Sequence, residues 1–213
     1  MRKLTGLLLV LAMTVLISSA VFAQETMIWN GTDLADSGIK IGAWGSGTAV
    51  KETQDKKRLL EGPQSIKITS DGLYMGARLD FEKPITLVEG TIDQSKYIVL
   101  TFFFTDTETV GPSTNMYYYE IVPYRIPKIK NLRIIVTSDK GLNIPILCPT
   151  NPLDADDNWV RIAVPVAKLK LPEGQSDFKM SRLVINSDTK STFWLGQIKL
   201  VTDNNPIKVD SLS

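Results

Sequence analysis

The 213-residue chain contains no histidine and a single cysteine, and this removes whole classes of chemistry. Neither a Ser-His or Cys-His nucleophile pair nor an imidazole metal centre can be built. Carboxylates remain. Asp80, Glu82 and Glu120 fall in or beside strand-like runs, where they are candidates for the two-carboxylate hydrolysis of a glycoside. Nothing in their spacing pairs them, and strand carboxylates are ordinarily solvated, so the sequence argues against an enzyme. The acidic run "LDADDN" (Asp154, Asp156, Asp157, Asn158) alternates oxygen ligands as a calcium loop begins to do. It lacks the glycine and the closing glutamate of a helix-loop-helix site and reads better as a solvated loop.

Aromatic residues on polar faces are the stronger lead. A sugar ring lays its C–H patches on the face of Trp or Tyr, and its hydroxyls take donors and acceptors such as Arg, Asp and Asn. Trp44 in "IKIGAW" has the parity opposite to Ile39 and Ile41 and therefore points away from a core. Tyr74 and Arg78 share the polar parity of the following run. In "NMYYYEIVPYRIP" (115–127), Tyr117 and Tyr119 share a face while Tyr118 leaves with Met116 and Glu120. Pro123 and Pro127 then place Tyr124 and Arg125 at an edge or in a loop, as a ring and a five-donor guanidinium that can meet a sugar together. Trp159 opens a strand directly after the acidic run and reads as structural, plugging the end of the core.

These residues must be positioned by strands. "QSIKITS", "GARLDF", "NLRIIVTS" and "WVRIAVPV" alternate apolar and polar, and "KYIVLTFFF" is apolar on both faces, as a central covered strand is. Turn chemistry falls between them in "NGT", "GSG", "EGP", "SDG", "GPS" and "PEG". No stretch after the N-terminal region carries a helical stripe. The pattern predicts an all-β antiparallel sandwich of about ten strands. Near its end, Phe193 and Leu195 have one parity and Ile198 and Leu200 the other. A bulge at Gly196 restores one buried face and turns Trp194 outward, where it joins the binding candidates.

The N-terminus reads as an export signal: Arg2 and Lys3, then the apolar run "LLLVLAMTVLISSAVFA" ending in Val21-Phe22-Ala23. Cleavage after Ala23 leaves residues 24–213 as a single domain in the periplasm or outside the cell, with a polar tail of about ten residues. No second apolar segment of spanning length follows, so no membrane span is expected. The charges nearly balance, at 24 basic and 23 acidic residues, and no basic stripe is available for a nucleic acid. Cys148, flanked by apolar residues and prolines, reads as a buried small hydrophobe.

Several segments resemble carbohydrate-binding modules with the galactose-binding-like jelly roll. "DDNWVRIAVPVAKLK" is similar to their W-x-x-V-x-(V/I)-P-(L/V) strand, "LLEGPQSIKITSDGLYMGARLDFEKPITL" to their early E-G-x-x-S-(L/I)-K-(L/I) segment, and "MSRLVINSDTKSTFWLGQIKLV" to their closing hairpin. The resemblance runs from about Leu60 to Val201. It implies two facing antiparallel sheets, sugar contacts on a concave sheet face or at loop tips, and a structural calcium. Glu61 matches the glutamate of the E-G turn that helps hold that calcium, whereas Gly196 and Gln197 stand where the family carries acidic residues, which weighs against the metal. No other cofactor is expected. The leading expectation is a secreted, non-catalytic protein that recognises a polysaccharide or other glycan. The rival is a structural or assembly protein of the cell envelope, a homo-oligomer built on the same sandwich.

Overall fold

A computed structural model of the protein describes residues 24–110, 124–150 and 158–203. Strands are numbered in chain order. The first sheet runs β11 (Trp159–Pro165), β6 (Lys96–Phe104), β13 (Lys190–Thr202), β4 (Ser65–Asp71), β3 (Thr48–Glu52), with β1 (Gln24–Trp29) added along β13. The second runs β10 (Asn143–Pro149), β9 (Asn131–Ser138), β12 (Phe178–Ser187), β5 (Gly76–Val88), β2 (Ile39–Trp44). A separate hairpin pairs β7 (Thr107–Val110) with β8 (Tyr124–Pro127). All these pairings are antiparallel. The order β4-β13-β6-β11 facing β5-β12-β9-β10 is that of an eight-stranded jelly roll, to which β1, β2 and β3 are added. The expected all-β antiparallel sandwich is therefore what forms.

The alternation in the sequence becomes the core. Ile66 and Ile68 of β4, Leu79 of β5, Leu100 and Phe102 of β6, Ile134 of β9, Leu183 and Ile185 of β12 and Phe193 of β13 are buried in one cluster between the sheets. Burying each of these large side chains is worth about 2 kcal/mol. Phe102 and Phe193 meet edge-on with centroids 5.7 Å apart. Cys148 joins this cluster, and burial pushes its thiol up to about 12. β6 is buried on both faces apart from Lys96, as its unbroken apolar run implied.

The ladder between β13 and β6 shifts register between Leu195 and Gln197. Gly196 is the extra residue, and it returns Ile198 to the core beside Phe193 and Leu195. Only glycine fits, because a Cβ there would lie 2.5 Å from the Trp159 ring and 2.9 Å from Leu60 Cβ. Trp159 therefore packs over the bulge on the outer side of the first sheet, edge-on to Phe103 at 5.2 Å. Its role is structural, as expected, but it does not plug the end of the core.

The two chain turns "NGT" and "EGP" touch. Gly31 takes φ 84°, and a Cβ on Gly62 would sit 2.4 Å from the Gly31 carbonyl carbon. Asp33 fastens this corner: its carboxylate accepts from Lys51 Nζ at 2.9 Å, Gln64 Nε2 at 2.9 Å and the Ala35 amide at 2.9 Å. These donors, Lys51 first, hold its pKa down from the usual 3.8 to about 2.

Replacing Gly196 by alanine is expected to cost about 1–3 kcal/mol, read as a lowered urea midpoint. Because the Asp33 carboxyl titrates lower in the folded than in the unfolded chain, its contribution is present above pH 3.8 and is lost as pH falls toward 2. Asp33→Asn is expected to remove that part of the acid sensitivity, measured as the difference in denaturation midpoint between the two ends of this window.

Candidate functional site

The outer face of the second sheet is built in rows, because antiparallel register sets residues directly opposite one another at about 5 Å. One row reads Trp44 on β2, Gly76 on β5, Asn186 on β12, Arg133 on β9 and Leu147 on β10. The next reads Gly42, Arg78, Val184, Ile135 and Pro145, and the third Lys40, Asp80, Arg182, Thr137 and Asn143. With neighbouring strands about 4.8 Å apart, each row crosses about 19 Å, the reach of a short oligosaccharide.

Tyr74 stands over the first row. It lies in the turn before β5 and not in the strand, which corrects the parity argument, and the residue is 71% exposed. The Arg133 guanidinium lies against that ring at 4.9 Å and donates from Nη1 to the Leu73 carbonyl at 3.1 Å. Trp44 is half-buried on the same face, as its parity required. Between them, Asn186 is fully buried, and neither its Oδ1 nor its Nδ2 has a hydrogen-bond partner among the described residues. Gly76 makes room for it, since a Cβ there would lie 2.8 Å from Asn186 Oδ1 and 2.1 Å from the Ile185 carbonyl oxygen. A buried, unpaired carboxamide is costly.

The second and third rows are knitted by charge. Asp80 takes Arg78 Nε at 2.8 Å on one oxygen and Arg182 Nε on the other. Arg78 reaches across β2, where a Cβ at Gly42 would come within 3.3 Å of Nη2. Glu82 pairs with Lys40 at 3.0 Å. Two of the three carboxylates named for hydrolysis are thus tied to cations on this face. Glu120 lies outside the described residues.

Of the other candidates, Trp194 is a correction. It faces outward as the Gly196 bulge demands, but on the first sheet, and it is only 3% exposed. Arg58 covers its ring at 4.0 Å and Phe103 meets it edge-on at 6.0 Å, so no sugar can stack there. Tyr124 and Arg125 belong to β8, a strand of the separate hairpin, and Arg125 Nη2 is spent on Thr107 Oγ1 at 2.8 Å. Tyr117, Tyr118 and Tyr119 lie outside the described residues, as do Asp154, Asp156 and Asp157. Glu61 is exposed, and among the described residues no group of three or more His, Cys, Asp or Glu could hold a metal. At the neighbouring corner Lys51 already neutralises Asp33.

Arg133, Arg182 and Asn186 were not singled out from the sequence. Parity alone sends Arg133 outward from Leu132 and Ile134, but only the sheet order sets it beside Asn186 and under Tyr74.

No protein-family model matches the chain, and no curated protein matches it. Among solved structures, carbohydrate-binding modules are similar in fold. The CBM22-1–GH10 modules of endo-1,4-β-D-xylanase 10B from Clostridium thermocellum, complexed with xylohexaose, align over 84% of this chain and 29% of that one, at 14% identity and TM-score 0.45. The CBM22-1 xylan-binding domain of Xyn10C from Paenibacillus barcinonensis aligns over 84% and 92%, at 13% identity and TM-score 0.39. The family 30 module of the cellulosomal cellulase Cel9D-Cel44B of Clostridium thermocellum aligns over 85% and 99%, at 13% identity and TM-score 0.42. At such identities and scores these likenesses carry no weight for the ligand or for any residue's role. No helix among the described residues is long and apolar enough to cross a membrane.

Asp80→Ala is expected to destabilise the fold by about 1 kcal/mol, and a double-mutant cycle with Arg182→Ala to give a coupling of similar size. Equilibrium denaturation of the four proteins checks it.

Proposed function

We propose that the protein is a secreted, non-catalytic glycan-binding protein that takes its polysaccharide on the outer face of the second sheet. The observation that carries this reading is the exposed ring of Tyr74 against the half-buried Arg133 guanidinium, in the row whose other end is Trp44. Two aromatic rings and guanidinium donors are what sugar C–H faces and hydroxyls need. The pairing of Asp80 with Arg78 and Arg182, and of Glu82 with Lys40, supports binding without bond cleavage. Secretion rests on Arg2, Lys3 and the apolar run ending at Ala23. Tyr117 and Tyr119 belong to the reading through their shared parity alone.

The sheet edges argue against the envelope-assembly reading. β10, at one border of the second sheet, carries Pro145 and Pro149, which have no N–H to offer another strand. Lys40 on β2 and Lys51 on β3 mark two further edges.

Affinity electrophoresis of the full chain through a panel of polysaccharides, with and without chelator, tests the proposal. Retardation by at least one polymer is expected, with no effect of the chelator. Trp44→Ala and Tyr74→Ala are each expected to weaken binding about five- to tenfold with unchanged melting temperature. Absence of retardation by every polymer at millimolar sugar overturns the reading. Light scattering is expected to give a monomer.

A further inference from the structure

We infer that the glycan carries carboxylate groups, so that the outer face of the second sheet selects a polyuronate over its neutral counterpart. The inference rests on the glycan-binding reading and adds the charge of the ligand to it.

Three guanidinium groups, those of Arg78, Arg133 and Arg182, stand on this face against one carboxylate that reaches them, Asp80. Glu82 is directed to Lys40. Asp80 is divided between Arg78 and Arg182, which leaves Arg133 with no anionic partner among the described residues. Its only partners there are the Leu73 carbonyl oxygen and the Tyr74 ring. A guanidinium has five N–H donors in a planar fork, and the one bond to Leu73 leaves most of them without a partner among the described residues.

Its setting suits a carboxylate better than a hydroxyl. Arg133 is half-buried, and solvation there is poorer than on an open surface. The Leu73 carbonyl and the Tyr74 ring hold the guanidinium in place, and a carboxylate matches its planar fork with two parallel hydrogen bonds. Arg133 then reads the acid group, and the Tyr74 and Trp44 rings the C–H faces. A neutral glycan would leave the Arg133 fork without a charged partner, a loss the uronate avoids.

The test is calorimetry of the full chain with three polymers: polygalacturonate, the same polymer with its carboxyl groups reduced to primary alcohols, and poly-glutamate. About tenfold tighter binding of polygalacturonate than of its reduced form is expected, with negligible affinity for poly-glutamate and affinity falling as salt rises. In Arg133→Gln the ratio of the two sugar affinities is expected to fall toward one, and Arg133→Lys to restore part of it; both are checked for folding by their melting curves. Equal binding of the acidic and reduced polymers overturns the inference while leaving glycan binding intact. Equal binding of poly-glutamate and polygalacturonate also overturns it, as unselective attraction of polyanions. Failure to bind either sugar polymer, or any member of the wider panel, removes both readings together.

Discussion

The pairing register of β5, β12 and β9 is the constraint on which the rest of this structure depends. Leu79, Leu183 and Val136 lie opposite one another on the inner side, and this fixes Asp80, Arg182 and Thr137 as their outward neighbours. Side chains alternate with period two, so a slip of one residue on β12 would turn Leu183 and Ile185 to the outer face and Asn186 into the core. Burying each apolar side chain is worth about 2 kcal/mol, so the core enforces the register, and the register then assembles the outer row. The same shift between Met180 and Arg182 appears in the pairing of β12 with both neighbours, which keeps the three strands in step.

The two outer faces differ in their charge. On the first sheet, Tyr97, Val99, Phe103 and Trp194 are all under 10% exposed, and Trp159 and Arg58 pack over the Gly196 bulge and the Trp194 ring. On the second sheet Val184, Ile135, Thr137 and Asn186 are buried in the same way, but they are flanked by arginines, an aspartate and a half-buried tryptophan. Charge fixes these flanking side chains: Arg78 and Arg182 are immobilised by a shared carboxylate, while Arg133 is held by a backbone carbonyl and a ring. A surface ordered in advance loses less side-chain entropy when a ligand arrives.

Strand positions, inward parity and the bulge at Gly196 were legible in the sequence because each rests on a local rule. Ile66 and Ile68, or Ala77 and Leu79, declare their face by spacing, and Gly196 lies where two parities collide. Trp44 was legible for the same reason. Trp194 was misjudged because parity reports the direction of a side chain and not what covers it, and Arg58, far away in the chain, does the covering. Arg133 and Asn186 were overlooked because their significance is a relation between strands more than fifty residues apart.

From the sequence alone come the all-β sandwich, the alternation that makes its core and the absence of imidazole chemistry, since each depends on residue type and near-neighbour spacing. Tertiary structure alone decided that Trp44, Asn186 and Arg133 share one row and that Tyr74 lies against Arg133. Those facts follow from the strand order β10-β9-β12-β5-β2, which long-range hydrogen-bonded pairing establishes and no local pattern encodes.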